Sequence, residues 1–107
     1  ASDSGPELWL VAGGDAERDA ALQDAAQLRK AGYSVSYALG EQGFGKQFKT
    51  AGKSGAHFAL IYGEEEIAAN EVKVKDLNSG AEVSIPSGSL LERLNAIEEA
   101  GGIVETD

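Results

Sequence analysis

The apolar pattern begins with Leu8-Trp-Leu-Val-Ala12, a short continuous run closed by Gly13-Gly14. A run of that length with glycines behind it predicts a buried strand. From Asp15 the period changes. Ala21, Leu22, Ala25 and Leu28 recur at helical spacing. They predict the buried face of a helix with Asp15 as its N-cap and Gly32 as its stop. Tyr33 to Leu39 reads as a second strand and Gly40 to Gly45 as a loop. Phe44, Phe48 and Ala51 then fall at i, i+4 and i+7, the apolar stripe of a second helix over about residues 44–54.

The segment from Ala56 to Gly63 is apolar almost throughout, as expected of a central strand covered on both faces. Glu64 to Glu71 reads as a helical turn or loop. Two strand-like segments, Glu71–Leu77 and Ala81–Pro86, flank Asn78-Ser79-Gly80, a hairpin signal. Ser89 and Glu92 stand at capping-box spacing before a last helix, which buries Leu90, Leu94 and Ile97 and stops at Gly101. The order β-α-β-α-β, turn, hairpin, helix predicts an α/β fold. Its first half demands parallel strands with helices packed on the sheet.

At 107 residues the chain is expected to be one domain, residues 1–107 with a core over about 7–101. It begins without Met, as expected of a processed chain or a piece of a longer one. There is no cysteine, hence no disulfide and no thiolate site. No run is apolar enough to cross a bilayer, and the N-terminus lacks the regions of a signal peptide. No cofactor or metal-ligand set is read from the sequence.

Charge changes the picture. The formal net charge is −9, which argues against indiscriminate coating of nucleic acid, where phosphate attraction dominates. The distribution is uneven, however. Residues 1–28 hold six acids and one base, residues 29–53 five bases and one acid, and residues 76–107 seven acids and one base. Lys46, Lys49 and Lys53, at i, i+3 and i+7, fall opposite the Phe44/Phe48/Ala51 stripe at about 100° per residue. A basic segment of this kind can meet a phosphate backbone while the rest stays acidic.

Three features invite enzymatic readings, and each has a plainer one. Gly40-Glu-Gln-Gly-Phe-Gly45-Lys46 has P-loop spacing up to its lysine, but Gln47 stands where a Ser or Thr hydroxyl must hold Mg²⁺. No later strand offers an aspartate to complete that metal site. His57 has no nucleophile or acid at motif spacing, so it reads as a core or strand-end residue. Glu64, Glu65 and Glu66 alone do not supply the converging oxygens a divalent cation needs; they read as a solvated turn.

Lys46-Gln-Phe48 opening a helix, Gly55-Ala56 before the apolar strand, Gly63-Glu64 after it, and Val74-Lys75-Asp76-Leu77 followed by Gly80 form an ordered set. Over about Glu7 to Gly101 this set resembles the C-terminal anticodon-binding domain of class IIa aminoacyl-tRNA synthetases, most closely the histidyl family. The resemblance implies a three-layer α/β/α fold on a five-stranded mixed sheet of order 2-1-3-4-5, with strand 4 antiparallel. It implies no catalytic motifs in this segment, so the isolated chain is expected to activate no amino acid. It implies tRNA, histidine-specific, and the catalytic domain of a parent synthetase as partners, no membrane, and a cytoplasmic setting.

In the relatives, splayed anticodon bases are read near the carboxyl ends of the parallel strands, where open α/β sheets bind ligands. Carried over by position, the resemblance assigns base contacts to Glu66 and Lys75. Glu41 and Phe44 are added in the loop after the second strand. Lys46, Lys49, Lys53 and Lys73 are expected on the phosphate backbone. A carboxylate is acceptor-only and can take the paired N1–H and N2–H₂ donors of a guanine edge, and a histidine anticodon, GUG, holds two guanines. The alternative is a regulatory or protein–protein module that reuses the synthetase fold. A nucleotide-binding enzyme is a third reading, disfavoured by Gln47.

Overall fold

The computed structural model describes residues 8–37 and 43–103, with Phe44 by its backbone alone. The elements are β1 (Leu8–Ala12), α1 (Asp15–Lys30), β2 (Val35–Tyr37), α2 (Phe44–Ser54), β3 (Phe58–Tyr62), α3 (Glu64–Ala68), β4 (Glu71–Asp76), β5 (Glu82–Pro86), a 3₁₀ turn (Ser87–Ser89) and α4 (Leu90–Ala100). The strands form one five-stranded sheet of order β2-β1-β3-β4-β5. β1 runs parallel to β2 and β3, whereas β4 is antiparallel to both of its neighbours. This is the mixed topology the resemblance implies.

Strand register sorts the side chains onto two unlike faces. On one face Leu8 and Leu10 of β1 stand beside Phe58 and Leu60 of β3, followed by Val74 and Val72 of β4 and Val83 and Ile85 of β5. Against them pack Ala21, Ala25 and Leu28 of α1 and Leu90 and Leu94 of α4, closing the main core. Along the other face the pairs run Trp9–Ala59–Lys75–Glu82 and Val11–Ile61–Lys73–Ser84. That face is apolar over β1 and β3 and polar over β4 and β5. α2 packs on the apolar half, with Gln47 and Ala51 buried. All of β3 is buried, as its unbroken apolar run predicts.

Four local expectations are corrected. Leu22 is exposed, because it lies about 100° round the helix from Ala21 while Ala25 and Leu28 stay within a narrow stripe. The N-cap of α1 is Gly14, not Asp15. Its carbonyl already accepts from the Arg18 N–H at 2.8 Å. Asp15 and Glu17 sit instead in the first turn, where the helix dipole favours carboxylates. Ser89 is at the N-cap of α4 but makes no side-chain cap. The 3₁₀ turn before it supplies a backbone acceptor, the Ser87 carbonyl, to the Leu90 N–H. β2 is shorter than expected, and Ala38 and Leu39 lie outside the described residues. Gly55 and Gly101 end α2 and α4 at φ 82° and 83°, a left-handed conformation that side chains resist.

Candidate nucleic-acid interface

The α2 sequence lays three faces along one short helix. Gln47 and Ala51 turn to the sheet, while Lys46, Lys49 and Lys53 are all exposed on the outside, as the spacing predicts. Gln47 is the residue that spoils the P-loop pattern, and the structure gives it a different task. Its Nε2 donates to the Ala12 carbonyl at 2.8 Å and its Oε1 accepts from the Ala12 N–H at 2.9 Å. The primary amide thus acts as a strand partner at the end of β1 and pins α2 to the sheet. β4 ends on an aspartate, Asp76, but β4 runs against β3, so Asp76 lies beside the start of β3, at the end of the sheet opposite the one from which β2 leads into α2.

Asp76 is instead a turn anchor. Its Oδ1 accepts from the N–H groups of Asn78 at 2.8 Å and Ser79 at 3.1 Å. Its Oδ2 lies 3.8 Å from His57 Nε2. Burial pushes its carboxyl pKa upward, but the backbone donors and His57 together outweigh burial and hold it below the ordinary value. His57 therefore marks the strand end, as expected.

At the opposite end of β3, Tyr62 donates its hydroxyl to Asp24 Oδ2 at 2.8 Å. Burial raises the Tyr62 pKa, and the neighbouring carboxylate raises it further. Burial also raises Asp24, with the Tyr62 hydrogen bond pulling the other way.

Glu66 follows directly. Its Oε1 accepts from the Gly63 N–H at 3.0 Å, a reciprocal cap on α3, and its Oε2 lies 3.9 Å from Lys73 Nζ. One oxygen is therefore held by the fold, while the other faces a cation on the open sheet. Lys75, two residues along the same face of β4, reaches Glu82 Oε2 at 3.8 Å, and its ammonium lies 5.7 Å from the Phe48 ring centroid. Both lysine side chains are about a third exposed, at 34%. The Lys75–Glu82 pair, exposed on both sides, has little net worth, so an incoming phosphate competes readily for that ammonium; the carboxylate facing Lys73 is more enclosed, at 12%.

The geometry thus brings Lys73, Lys75 and Glu66 together on the polar half of the sheet, while the α2 lysines point outward from the helix that covers the other half. Glu41 lies outside the described residues, as does the Phe44 side chain. Sequence reasoning passed over Gln47 as a partner of β1 and Phe48 as a partner of Lys75. The alternation of Lys73, Val74 and Lys75 was the available signal that both lysines share a face. Across the sheet, α4 exposes Glu92, Glu98 and Glu99 beside Arg93, and α1 exposes Asp15 and Asp19 beside Arg18, Arg29 and Lys30. α2 differs from both in exposing three lysines and holding no acid.

Residues 9–97 match the family model described as "Anticodon binding domain". The chain belongs to that family. Among curated relatives, the histidine–tRNA ligase of Opitutus terrae is 50% identical over 80 residues, covering 75% of this chain and 18% of the ligase. Among solved structures, histidyl-tRNA synthetase from Nostoc sp. PCC 7120 superposes with a TM-score of 0.76 at 33% identity, covering 85% of this chain and 22% of that one. The apo histidyl-tRNA synthetase of S. aureus gives 0.78 at 25% identity, covering 85% and 23%. The chain spans about a fifth of the length of the curated relatives it matches. Among the described residues no helix is long and apolar enough to cross a membrane, and no cluster of side chains could hold a metal ion.

Proposed function

We propose that this anticodon-binding domain reads the anticodon loop of a histidine tRNA, as the recognition part of a cytoplasmic histidyl-tRNA synthetase whose catalytic domain does the chemistry. The observation that carries the reading is the exposed lysine face of α2, Lys46, Lys49 and Lys53, on the same side of the sheet as Lys73 and Lys75 in a chain of net charge −9. The likeness to histidine–tRNA ligases supports a histidine tRNA as that RNA. Cations position the phosphates and a few side chains read the bases. Lys46, Lys49, Lys53 and Lys73 take the backbone. Lys75, Glu66, Glu41 and Phe44 take the bases. Glu66 keeps Oε1 on the Gly63 N–H and offers Oε2 to a guanine edge when Lys73 turns to a phosphate.

The test is fluorescence anisotropy with an anticodon stem-loop RNA carrying GUG. Changing Lys46, Lys49 and Lys53 to Ala together should weaken binding and flatten its dependence on salt. Glu66→Gln keeps an acceptor for Gly63 but puts an amide donor where the guanine-facing oxygen stood. It should weaken GUG binding by roughly 1–3 kcal/mol and reduce discrimination against loops lacking the guanine. Charge alone predicts the opposite, because one negative group is gone. Equal or tighter binding by the Gln variant with unchanged discrimination would sink the role of Glu66. An unaltered salt slope in the lysine variant would sink the basic surface.

A further inference from the structure

A hydrogen bond on the far face of the sheet from the lysines ends next to Glu66. Asp24 of α1 accepts from the Tyr62 hydroxyl at 2.8 Å. Tyr62 is the last residue of β3 and directly precedes the glycine whose N–H Glu66 caps. We propose that Asp24 is a positioning residue for guanine readout, holding Tyr62 so that the peptide bond after it presents its N–H to Glu66. The proposal deepens the anticodon reading above and rests on it.

Three observations carry it. First, one peptide unit makes two of the bonds that fix this turn. The Tyr62 carbonyl accepts from the Gly13 N–H at 3.0 Å, and across the same peptide bond the Gly63 N–H donates to Glu66 Oε1 at 3.0 Å. The unit is planar, so its two ends turn together. A rotation that frees the carbonyl from Gly13 also swings the N–H away from Glu66. With Oε1 released, Oε2 loses its place 3.9 Å from Lys73. Second, the linkage is enclosed. Tyr62 and Gly63 are buried, Asp24 is half-buried, and packed interiors pass on a displacement rather than absorb it. Third, the pair is not what stability alone would select. Among the described residues no cation lies within ion-pair reach of Asp24, and burial pushes its carboxyl pKa up. A carboxylate placed there is costly, and apolar residues at both positions would avoid the cost.

The 107-residue chain is titrated, by anisotropy, with the GUG stem-loop and with loops in which each guanine in turn is adenine. Tyr62→Phe removes the anchor without changing charge. It should lower discrimination against the loop lacking the recognised guanine by about three- to tenfold and leave the salt slope unaltered, since no phosphate contact is lost. The double variant Asp24→Leu with Tyr62→Phe leaves neither partner unpaired. It should melt in urea close to the wild type and still lack the discrimination, and it carries the test if Tyr62→Phe fails a urea-melt check. Asp24→Asn loses the charge but keeps an acceptor for the hydroxyl, so it should discriminate as the wild type does. In a Glu66→Gln background Tyr62→Phe should add nothing, because it acts through Glu66. If Tyr62→Phe and the double variant discriminate normally while Glu66→Gln does not, the positioning role is overturned and the anticodon reading stands. Discrimination that returns with stability in the double variant also overturns it, and leaves the pair a structural one. If Glu66→Gln itself discriminates normally, the role of Glu66 falls and takes this proposal with it.

Discussion

Replacing Gln47 by Thr completes the P-loop pattern that the sequence nearly spells, and the structure predicts that the change damages the fold without creating an ATPase. Gln47 is 8% exposed and makes two hydrogen bonds to the backbone of Ala12. Thr cannot span the same gap, so the N–H and C=O of Ala12 both lose their side-chain partner. A net hydrogen bond is worth about 1 kcal/mol, and a buried polar group left unsatisfied costs about 1–3 kcal/mol. Two such groups, partly reachable by water, give an expected loss of about 2–4 kcal/mol, a large share of the ~5–15 kcal/mol typical of a domain. With a urea m-value of roughly 1–2 kcal/mol/M for a chain this size, the midpoint should fall by about 2 M with m unchanged. Gln47→Glu sharpens the test. It keeps an acceptor for the Ala12 N–H but sets a carboxylate oxygen against the Ala12 carbonyl, so it should be destabilised at neutral pH and partly recover on acidification. A loss below ~0.5 kcal/mol in Gln47→Thr, the size of an ordinary surface change, would refute the pinning role. Mg²⁺-dependent ATP turnover by the Thr variant would refute the reading of the loop itself.

Two further predictions concern buried carboxyl groups. Asp24 has a raised folded pKa, from burial first, so its stabilising share is present below the ordinary carboxylate value and is lost as pH rises through the folded one. The Tyr62 hydroxyl offsets part of that loss; Tyr62→Phe should therefore cost about 1–2 kcal/mol near pH 7 and distinctly less in acid, and a urea-melt penalty independent of pH would contradict this. Asp76 is the opposite case, its folded pKa held low by the turn donors and His57 against the pull of burial. Its contribution is present above the ordinary carboxylate value and is lost as pH falls through the lowered one. Asp76→Ala should cost about 2–3 kcal/mol at pH 7 and Asp76→Asn less, because an amide oxygen can still accept from Asn78 and Ser79; melts in which Asn and Ala are equally destabilised would exclude the turn-anchor role.

The elements were legible in the sequence because periodicity and burial coincide in most of them. β3 is apolar throughout and buried throughout, and the α2 lysines are exposed at the phase their spacing dictates. What was not legible depended on partners far along the chain. Gln47 shares the sheet-facing stripe of α2 with Ala51, which marks it as a polar residue in need of a partner. But that partner, the backbone of Ala12, is 35 residues away. Glu66 caps a glycine, and a glycine carries none of the side-chain signal by which a capping box is recognised. The reverse error came from Ser89 and Glu92, whose spacing is right while the 3₁₀ turn before them rules out the backbone the motif needs. For the site, alternation alone puts Lys73 and Lys75 on one face of β4, whereas a base contact at Lys75 is what the resemblance implies. Their meeting with Glu66 and Phe48 required β4 to lie between β3 and β5, a fact of topology that no local window contains.

The hairpin between β4 and β5 also limits how this protein can change in length. Its turn is exposed and polar, the kind of place where insertions are usually tolerated. Here the alternation of faces counts residues. Val83 and Ile85 point into the main core, while Glu82 and Ser84 stand beside Lys75 and Lys73. A one-residue slip of β5 against β4 would bury a carboxylate and expose two branched apolar side chains. Any change in length must therefore be taken up inside the turn, over residues 77–81, with the pairing of Lys75 and Glu82 kept.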